Sequence, residues 1–238
     1  VYLILGTLQF SEELLRTYAH PKLLKVAEAI NGEDFVPFTE ALFIKEPGIG
    51  ASVAWHRDGT THWDSPDFDE GTHGFNFMAQ LYGCTAANGV WVVPGSHKER
   101  YVDIAEMVTR AGSERIEEAI PMVCNPGDVV ISNRQAVHGS FANTSNDWRI
   151  TINQGFHRRK SVLGVKGGGL HGKPAVYDSE RIIKRSKVIK LAIEARKQRF
   201  PDEQAFEYKP LSDSTEDFTW NAAARKSLHD YNLLDLSI

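Results

Sequence analysis

From residue 11 to residue 30, in "SEELLRTYAHPKLLKVAEAI", apolar positions recur at helical spacing. Ser11 stands where an N-cap would, with glutamates just after it. Pro21 interrupts the run and predicts two helices, or one that kinks. The turn residues "NGED" at 31–34 end it. Between 35 and 157 the period shortens. The runs "ALFIK" (41–45), "ASVAWH" (51–56), "GFNFMAQLYG" (74–83), "GVWVV" (89–93), "DVVIS" (128–132), "AVHGSF" (136–141) and "WRITINQGF" (148–156) read as strands. Turn chemistry separates them: "EPGIG", "DSPDFDEG", "TAANG", "PGSH", "NPGD" and "NTSND". Residues 103–119 are more helical and read as an insertion between strands. "GVKGGGLHGK" (164–173) reads as a mobile lid or linker. "DSERIIKRSKVIKLAIEARKQRF" (178–200) predicts a long helix closed by Pro201. Its basic residues suggest a surface helix with a solvated face. The pattern predicts a mainly β fold, a sandwich or barrel. It is read as a single domain over 1–238, with a β core at about 36–157, helices at 11–30 and a helical extension at 178–200.

Composition narrows this only modestly. A chain of 238 residues that is 42% hydrophobic is ordinary for a folded protein. A net charge of −4 gives no broad electrostatic reason to bind nucleic acid or anionic lipid. No apolar run approaches the ~20 residues of a membrane span. Neither nucleic acid nor membrane is an expected partner, and the oligomeric state stays open, a homodimer included. The opening "VYLILGTLQF" reads as a chain already begun, not as a signal peptide. The two cysteines, Cys84 and Cys124, form no CxxC pair and no disulfide framework. Such usage suits a reducing compartment, and a cytoplasmic location is expected.

Candidate chemistry concentrates in "WHRDGTTHW", residues 55–63. His56 and Asp58, two residues apart in an extended segment, share a face. They are either an ion pair or two thirds of a metal site. A third ligand is available at His138, in "GDVVISNRQAVHGSFANTSNDWRITIN". Two histidines and one carboxylate on one side of a metal form the facial triad of non-haem Fe(II) oxygenases. The open positions admit a bidentate 2-oxo acid and O2. Arg149, on the strand after "NTSND", is expected beside His138, where a guanidinium could grip the far carboxylate of 2-oxoglutarate. Ser140 shares the His138 face and could donate one more bond. In the run 74–82, Phe75, Phe77, Ala79 and Leu81 suit a packing face. Asn76, Met78, Gln80 and Tyr82 could line a cavity, with Asn76 and Gln80 near the cosubstrate. Trp55, His62 and Trp63 flank the triad and are candidate substrate contacts. His97 reads as a loop anchor. His73, His157, His171 and His229 have no partner pattern.

The stretches "HRD" (56–58), "NGVWVVPGSHK" (88–98), "NPGDVVI" (125–131) and "HGSFANTSNDWRITIN" (138–153) resemble the phytanoyl-CoA dioxygenase family of Fe(II)/2-oxoglutarate oxygenases. The resemblance covers roughly residues 36 to 157. It implies a double-stranded β-helix, a jelly roll or cupin-like fold with flanking helices. It implies Fe(II) held by His56, Asp58 and His138, and 2-oxoglutarate held by Arg149. The implied reaction consumes O2, releases succinate and CO2, and hydroxylates a C–H bond of a small-molecule substrate. An aspartate at 58 favours hydroxylation over halogenation, for which related enzymes carry a small residue there. Two other readings remain: a catalytically silent β-barrel binding module, and an oxygenase acting on nucleic acid or protein. Against the latter, Gly155 stands where alkylation-repair oxygenases carry a second arginine.

Overall fold

The computed structural model describes residues 1–58, 73–168, 174–229 and 231. In chain order come β1 (Tyr2–Leu5), α1 (Glu12–Tyr18), α2 (Pro21–Asn31), β2 (Val36–Lys45), β3 (Val53–His56) and β4 (Gly74–Gln80). β5 (Trp91–Val92), α3 (Ile104–Ala111), β6 (Ile120–Pro121), β7 (Val129–Asn133), β8 (His138–Ser140) and β9 (Arg149–His157) follow. The remainder is α4 (Arg159–Val162), β10 (Lys166–Gly168), β11 (Pro174–Val176), α5 (Ser179–Arg199) and α6 (Ala222–Ser227). The chain divides into two compact units. One comprises Val1–Ile4, Ala41–Gly71 and Phe75–Asn153, the other Leu5–Glu40, Thr72–Gly74 and Gln154–Ile238.

Two sheets form the jelly roll, a double-stranded β-helix most of whose strand residues belong to the first unit. One sheet has the order β1-β2-β9-β4-β7, the other β3-β8-β5-β6. β4 pairs antiparallel with β7, from Phe75 opposite Asn133 to Ala79 opposite Val129. β8 lies between β3 and β5, antiparallel to both. Polar side chains are buried between the sheets: Lys45, Asn76, Gln80, Ser140, Arg149 and Thr151 are each at most 5% exposed. A folded core tolerates such a polar row only where hydrogen bonds or a ligand satisfy it. The apolar core of this unit lies elsewhere. Val93, Ile116, Ala119 and Val137 pack together, with Trp55, Trp91 and the α3 residues Ile104, Met107 and Val108 against them.

In the second unit, Pro21 separates two helices, as its position implies. Ser11 caps α1 by accepting a bond from the Leu14 N–H at 3.3 Å, and Pro21 occupies the first turn of α2. α5 begins at the Asp178 cap, whose side chain accepts from the Arg181 N–H at 2.8 Å. It is not the surface helix its charges suggest. Nine of its 21 residues are buried, among them Ile182, Val188, Ile189 and Arg185. The lysines hid this, because long charged side chains alternate with an apolar stripe that is the core of the unit. Arg185 donates to the Tyr177 hydroxyl at 2.8 Å and to the Phe38 carbonyl. Phe35 sits among Phe156, Phe206 and Tyr208, and Tyr18 stacks on Phe156 with centroids 4.9 Å apart. His157 stacks on Phe38 at 4.4 Å, a packing role. The stretch read as a lid or linker is instead a hairpin where it is described: Lys166 pairs with Val176 and Gly168 with Pro174. β1 is a further strand that the pattern reading missed.

Glu40, 2% exposed, is the buried acid of this second unit. Burial pushes its carboxyl up to about 7, against the opposing effects of a Tyr231 hydrogen bond and the Arg185 charge. A carboxyl raised in the folded state binds more protons there than in the unfolded chain between pH ~4.5 and ~7. Its contribution to stability therefore falls as pH rises through that window. Glu40→Gln should remove roughly 1–3 kcal/mol of this pH dependence. Denaturant titrations of both proteins at pH 5 and pH 7.5 check it, and parallel slopes would contradict it.

Candidate metal centre

Register brings the first two ligands together. On β3 and β8, His56 lies directly opposite His138, although Val53 pairs with Ser140. The pairing therefore slips by one residue between Val53 and His56. Such an irregularity bends a strand and re-aims a side chain at its end. The two imidazoles sit with centroids 4.3 Å apart. Each fixes its own tautomer in the same way. His56 Nδ1 lies 2.7 Å from the Ala54 carbonyl and His138 Nδ1 lies 2.9 Å from the Ala136 carbonyl. A carbonyl only accepts, so Nδ1 carries the proton and Nε2 presents a lone pair.

Asp58 completes the group just beyond the end of β3. Its N–H donates to the Arg134 carbonyl at 3.1 Å. Its Oδ1 lies 3.3 Å from His56 Nε2, and its Oδ2 lies 3.8 Å from His138 Nε2. Ligating atoms of the three residues all fall within 4.8 Å of one another. Among the described residues this is the one such cluster of histidine, cysteine and carboxylate groups. Asn76 on β4 donates Nδ2–H to Asp58 Oδ2 at 2.6 Å, and the Arg134 guanidinium stands 3.9 Å away. Burial pushes the Asp58 carboxyl up, but the hydrogen bond that His56 donates when its ring is protonated, with the His138 and Arg134 charges, outweighs it. The group is held well below the usual carboxylate range. His56 is raised, chiefly by its bond to Asp58, and His138 is lowered by burial. A permanently ionised carboxylate between two lone-pair nitrogens is a donor set suited to a divalent first-row metal.

Next to this group lies a cationic corner. Arg149 is 2% exposed, and its Nε and Nη1 have no hydrogen-bond partner. Burial lowers it only to about 10, so it stays charged at neutral pH. Lys45 at the end of β2 is 0% exposed and donates to Ser140 Oγ at 2.8 Å and to the Phe141 carbonyl at 2.6 Å. Burial first, then the Arg149 charge, lowers it to about 7. Arg149 does not come from the strand beside His138. β8 and β9 belong to different sheets, so "NTSND" crosses from one sheet to the other, and Arg149 is linked to β8 through Lys45, which feels its charge and donates to Ser140. Two-sheet closure, invisible in a linear pattern, accounts for the difference.

The other candidates separate cleanly. Asn76 holds Asp58 directly. Gln80 accepts from the Thr151 hydroxyl at 2.8 Å, one face-position along β9 from Arg149. Ser140 is the acceptor for Lys45. Trp55 points away from the group: a Cβ on Gly139 would lie 3.2 Å from its ring, on the side of β8 opposite His138. Its indole N–H donates to the Glu114 carbonyl at 2.7 Å, and Phe141 packs edge-on against it. His62 and Trp63, like His171, lie outside the described residues. The loop anchor is Ser96 rather than His97. Ser96 Oγ donates to the Val93 carbonyl at 2.7 Å and accepts from the Val137 N–H at 2.8 Å, next to His138. Arg57, between the two N-terminal ligands, donates to the Ser96, Glu99 and Arg100 carbonyls. Lys45 and Arg57 carry no motif; a lysine ending an apolar run at "FIKEP" was the only signal for the first.

A family model described as phytanoyl-CoA dioxygenase matches residues 6–151. Dioxygenase lolE1 of Epichloe uncinata is 30% identical over 140 residues, which cover 58% of this chain and 52% of the relative. The chain thus spans about half the length of that curated relative. The crystal structure of EvdMO1 is 30% identical with a TM-score of 0.53, covering 66% of this chain and 35% of that one. EctD from S. alaskensis, solved with 2-oxoglutarate and 5-hydroxyectoine, is 21% identical with a TM-score of 0.57, covering 74% and 62%. At that identity the likeness is one of fold.

Asp58→Ala should abolish Fe(II) binding, measured by anaerobic calorimetry, and leave cooperative unfolding intact. Asn76→Ala removes the bond that orients Asp58 and should weaken Fe(II) affinity about 10–100-fold. Wild-type affinity in Asp58→Ala would contradict the ligand assignment.

Proposed function

Because the chain belongs to the phytanoyl-CoA dioxygenase family, we propose that it is an Fe(II)- and 2-oxoglutarate-dependent oxygenase that hydroxylates a C–H bond of a small molecule, releasing succinate and CO2. One set of observations supports the reading: Arg149 is buried with unpartnered donors, its charge acts on buried Lys45, and Lys45 donates to Ser140, two positions from the triad residue His138. Two cationic side chains buried together repel each other and are poorly solvated. A dianion with one end on the metal and the other in this corner relieves both penalties.

His56, Asp58 and His138 would hold the iron by Nε2, a carboxylate oxygen and Nε2. When bound with 2-oxoglutarate, the ferrous ion supplies O2 activation and the oxidation of the substrate. The remaining work falls to the chain. The Ala54 and Ala136 carbonyls keep both imidazoles in the ligating tautomer. Asn76 and Arg134 keep the carboxylate charged and oriented. Arg149 and Lys45 would bind the far carboxylate of the cosubstrate, the arginine by paired N–H donors and the lysine as a point charge. Ser140 is placed to relay to that carboxylate, because its hydroxyl proton is free to be donated while its oxygen accepts from Lys45. His138 and Ser140 are two positions apart on one strand face, roughly 7 Å. A five-carbon diacid can bridge that separation.

Purified protein with Fe(II), ascorbate and 2-oxoglutarate should produce succinate, and production should rise with the true substrate. No succinate under any of these conditions would favour the binding module. Arg149→Ala should raise KM for 2-oxoglutarate at least ~10-fold. The Lys45 ammonium, at about 7, loses its proton as pH rises. Affinity for 2-oxoglutarate should accordingly fall between pH ~7 and ~9, and Lys45→Met should weaken binding and flatten that profile. A profile unchanged in Lys45→Met would contradict the lysine's role.

A further inference from the structure

Cys84 and Cys124 are 40 residues apart in sequence, yet the fold makes them direct cross-strand neighbours. They form an isolated antiparallel bridge in which each N–H donates to the other's carbonyl, at 3.0 and 3.1 Å. Residues exchanging both bonds in this way have Cα atoms about 5.5 Å apart, inside the range a disulfide spans. The two sulfurs stand 3.3 Å apart, both as free thiols. Closing to a bond of about 2.05 Å brings the sulfurs roughly 1.2 Å nearer to one another.

The surroundings hold the sulfurs in place. Cys84 Sγ donates to the Met122 carbonyl at 2.8 Å. Glycine flanks the pair where a side chain would collide with backbone: a Cβ on Gly83 would lie 2.7 Å from the Cys124 carbonyl oxygen, and one on Gly89 would lie 2.7 Å from the Thr85 carbonyl oxygen. Gly83 also has φ of +75°, which an L side chain adopts only with strain. Access is asymmetric. Cys84 is 3% exposed, whereas Cys124 is half-buried and reachable from solvent. Burial first, then the neighbouring Cys124, pushes the Cys84 thiol up to about 12, so it is a poor first nucleophile.

We propose that Cys84 and Cys124 form a reversible intramolecular disulfide site, closed by oxidised glutathione and reopened by thiol reductants. Cys124 loses its proton and attacks one sulfur of oxidised glutathione, breaking that S–S bond and expelling one glutathione thiolate. Cys84 then gives up its proton and attacks Cys124 Sγ, expelling the second glutathione thiolate. In sum two protein thiols lose two electrons and two protons, and one oxidised glutathione becomes two reduced ones. The bond would lock the 80–84 segment, which is tied to β9 beside Arg149 through the Leu81 N–H and the Ile150 carbonyl at 3.1 Å.

The full chain is incubated with oxidised glutathione, quenched by acid, alkylated in denaturant so that buried thiols also react, and weighed by mass spectrometry. Both thiols should become unreactive together, with a mass lower by two hydrogens, no dimer on a non-reducing gel, and full recovery in dithiothreitol. The thermal midpoint should rise by about 5 °C, because the bond closes a ring of about 40 residues. Cys84→Ser should instead accumulate a glutathione adduct on Cys124. Cys124→Ser, a change at the half-buried position, should keep an alkylatable Cys84 and show neither adduct nor shift. The inference is overturned if both wild-type thiols stay alkylatable, if the wild type stops at the adduct, or if its disulfide joins two chains. The readout counts thiols and does not depend on oxygenase activity.

Discussion

Everything at the centre rests on one ladder, the antiparallel pairing of β3 with β8. A strand pair fixes which side chains meet, and a slip by one position would turn His138 to the opposite face. The structure guards against that slip on both sides of the strand. Gly139 admits the Trp55 ring behind the histidine, where an added Cβ would lie 3.2 Å from the ring and crowd it. Ser96 bonds the N–H of Val137, so the residue just before the histidine is pinned as well. With the register fixed, His56 and His138 meet on the ladder itself, and Asp58, just past the end of β3, is held by the Arg134 carbonyl and Asn76.

Around that ladder the charges are arranged in two adjoining groups of opposite character. The triad is an anionic carboxylate flanked by lone-pair nitrogens, a place for a cation. The Arg149 and Lys45 corner is a place for an anion. Each is costly by itself in a buried setting, and each is relieved by a ligand of the complementary sign. A metal and a dicarboxylate entering together would neutralise both. This reciprocity is a physical reason for polar residues to line the sheets' shared interior while the apolar core gathers at α3.

Much of this was legible in the sequence, for reasons that differ by element. Short apolar runs between turn residues announced the two sheets, because strand burial and turn chemistry are both local. His56 and Asp58 announced themselves by spacing, and His138 and Arg149 by their placement in a familiar stretch. What was hidden depends on closure. A hairpin-like connection such as "NTSND" reads the same whether its strands pair or part into opposite sheets. Lys45 was hidden because a lysine at the end of an apolar run ordinarily reaches solvent. α5 was misjudged because its charge count says nothing about which stripe it buries. β1 was missed because its residues are mostly exposed and do not alternate.

The two imidazoles have their orientation settled in advance by the Ala54 and Ala136 carbonyls. A donor set that needs no rearrangement welcomes ions without much discrimination. Affinity of such nitrogen and oxygen sites climbs from manganese and iron toward nickel and copper. Such a site would be open to mismetallation: in a mixture at equal concentrations, iron would be outcompeted. Which ion fills it would be governed by supply in the surroundings more than by the ligands themselves.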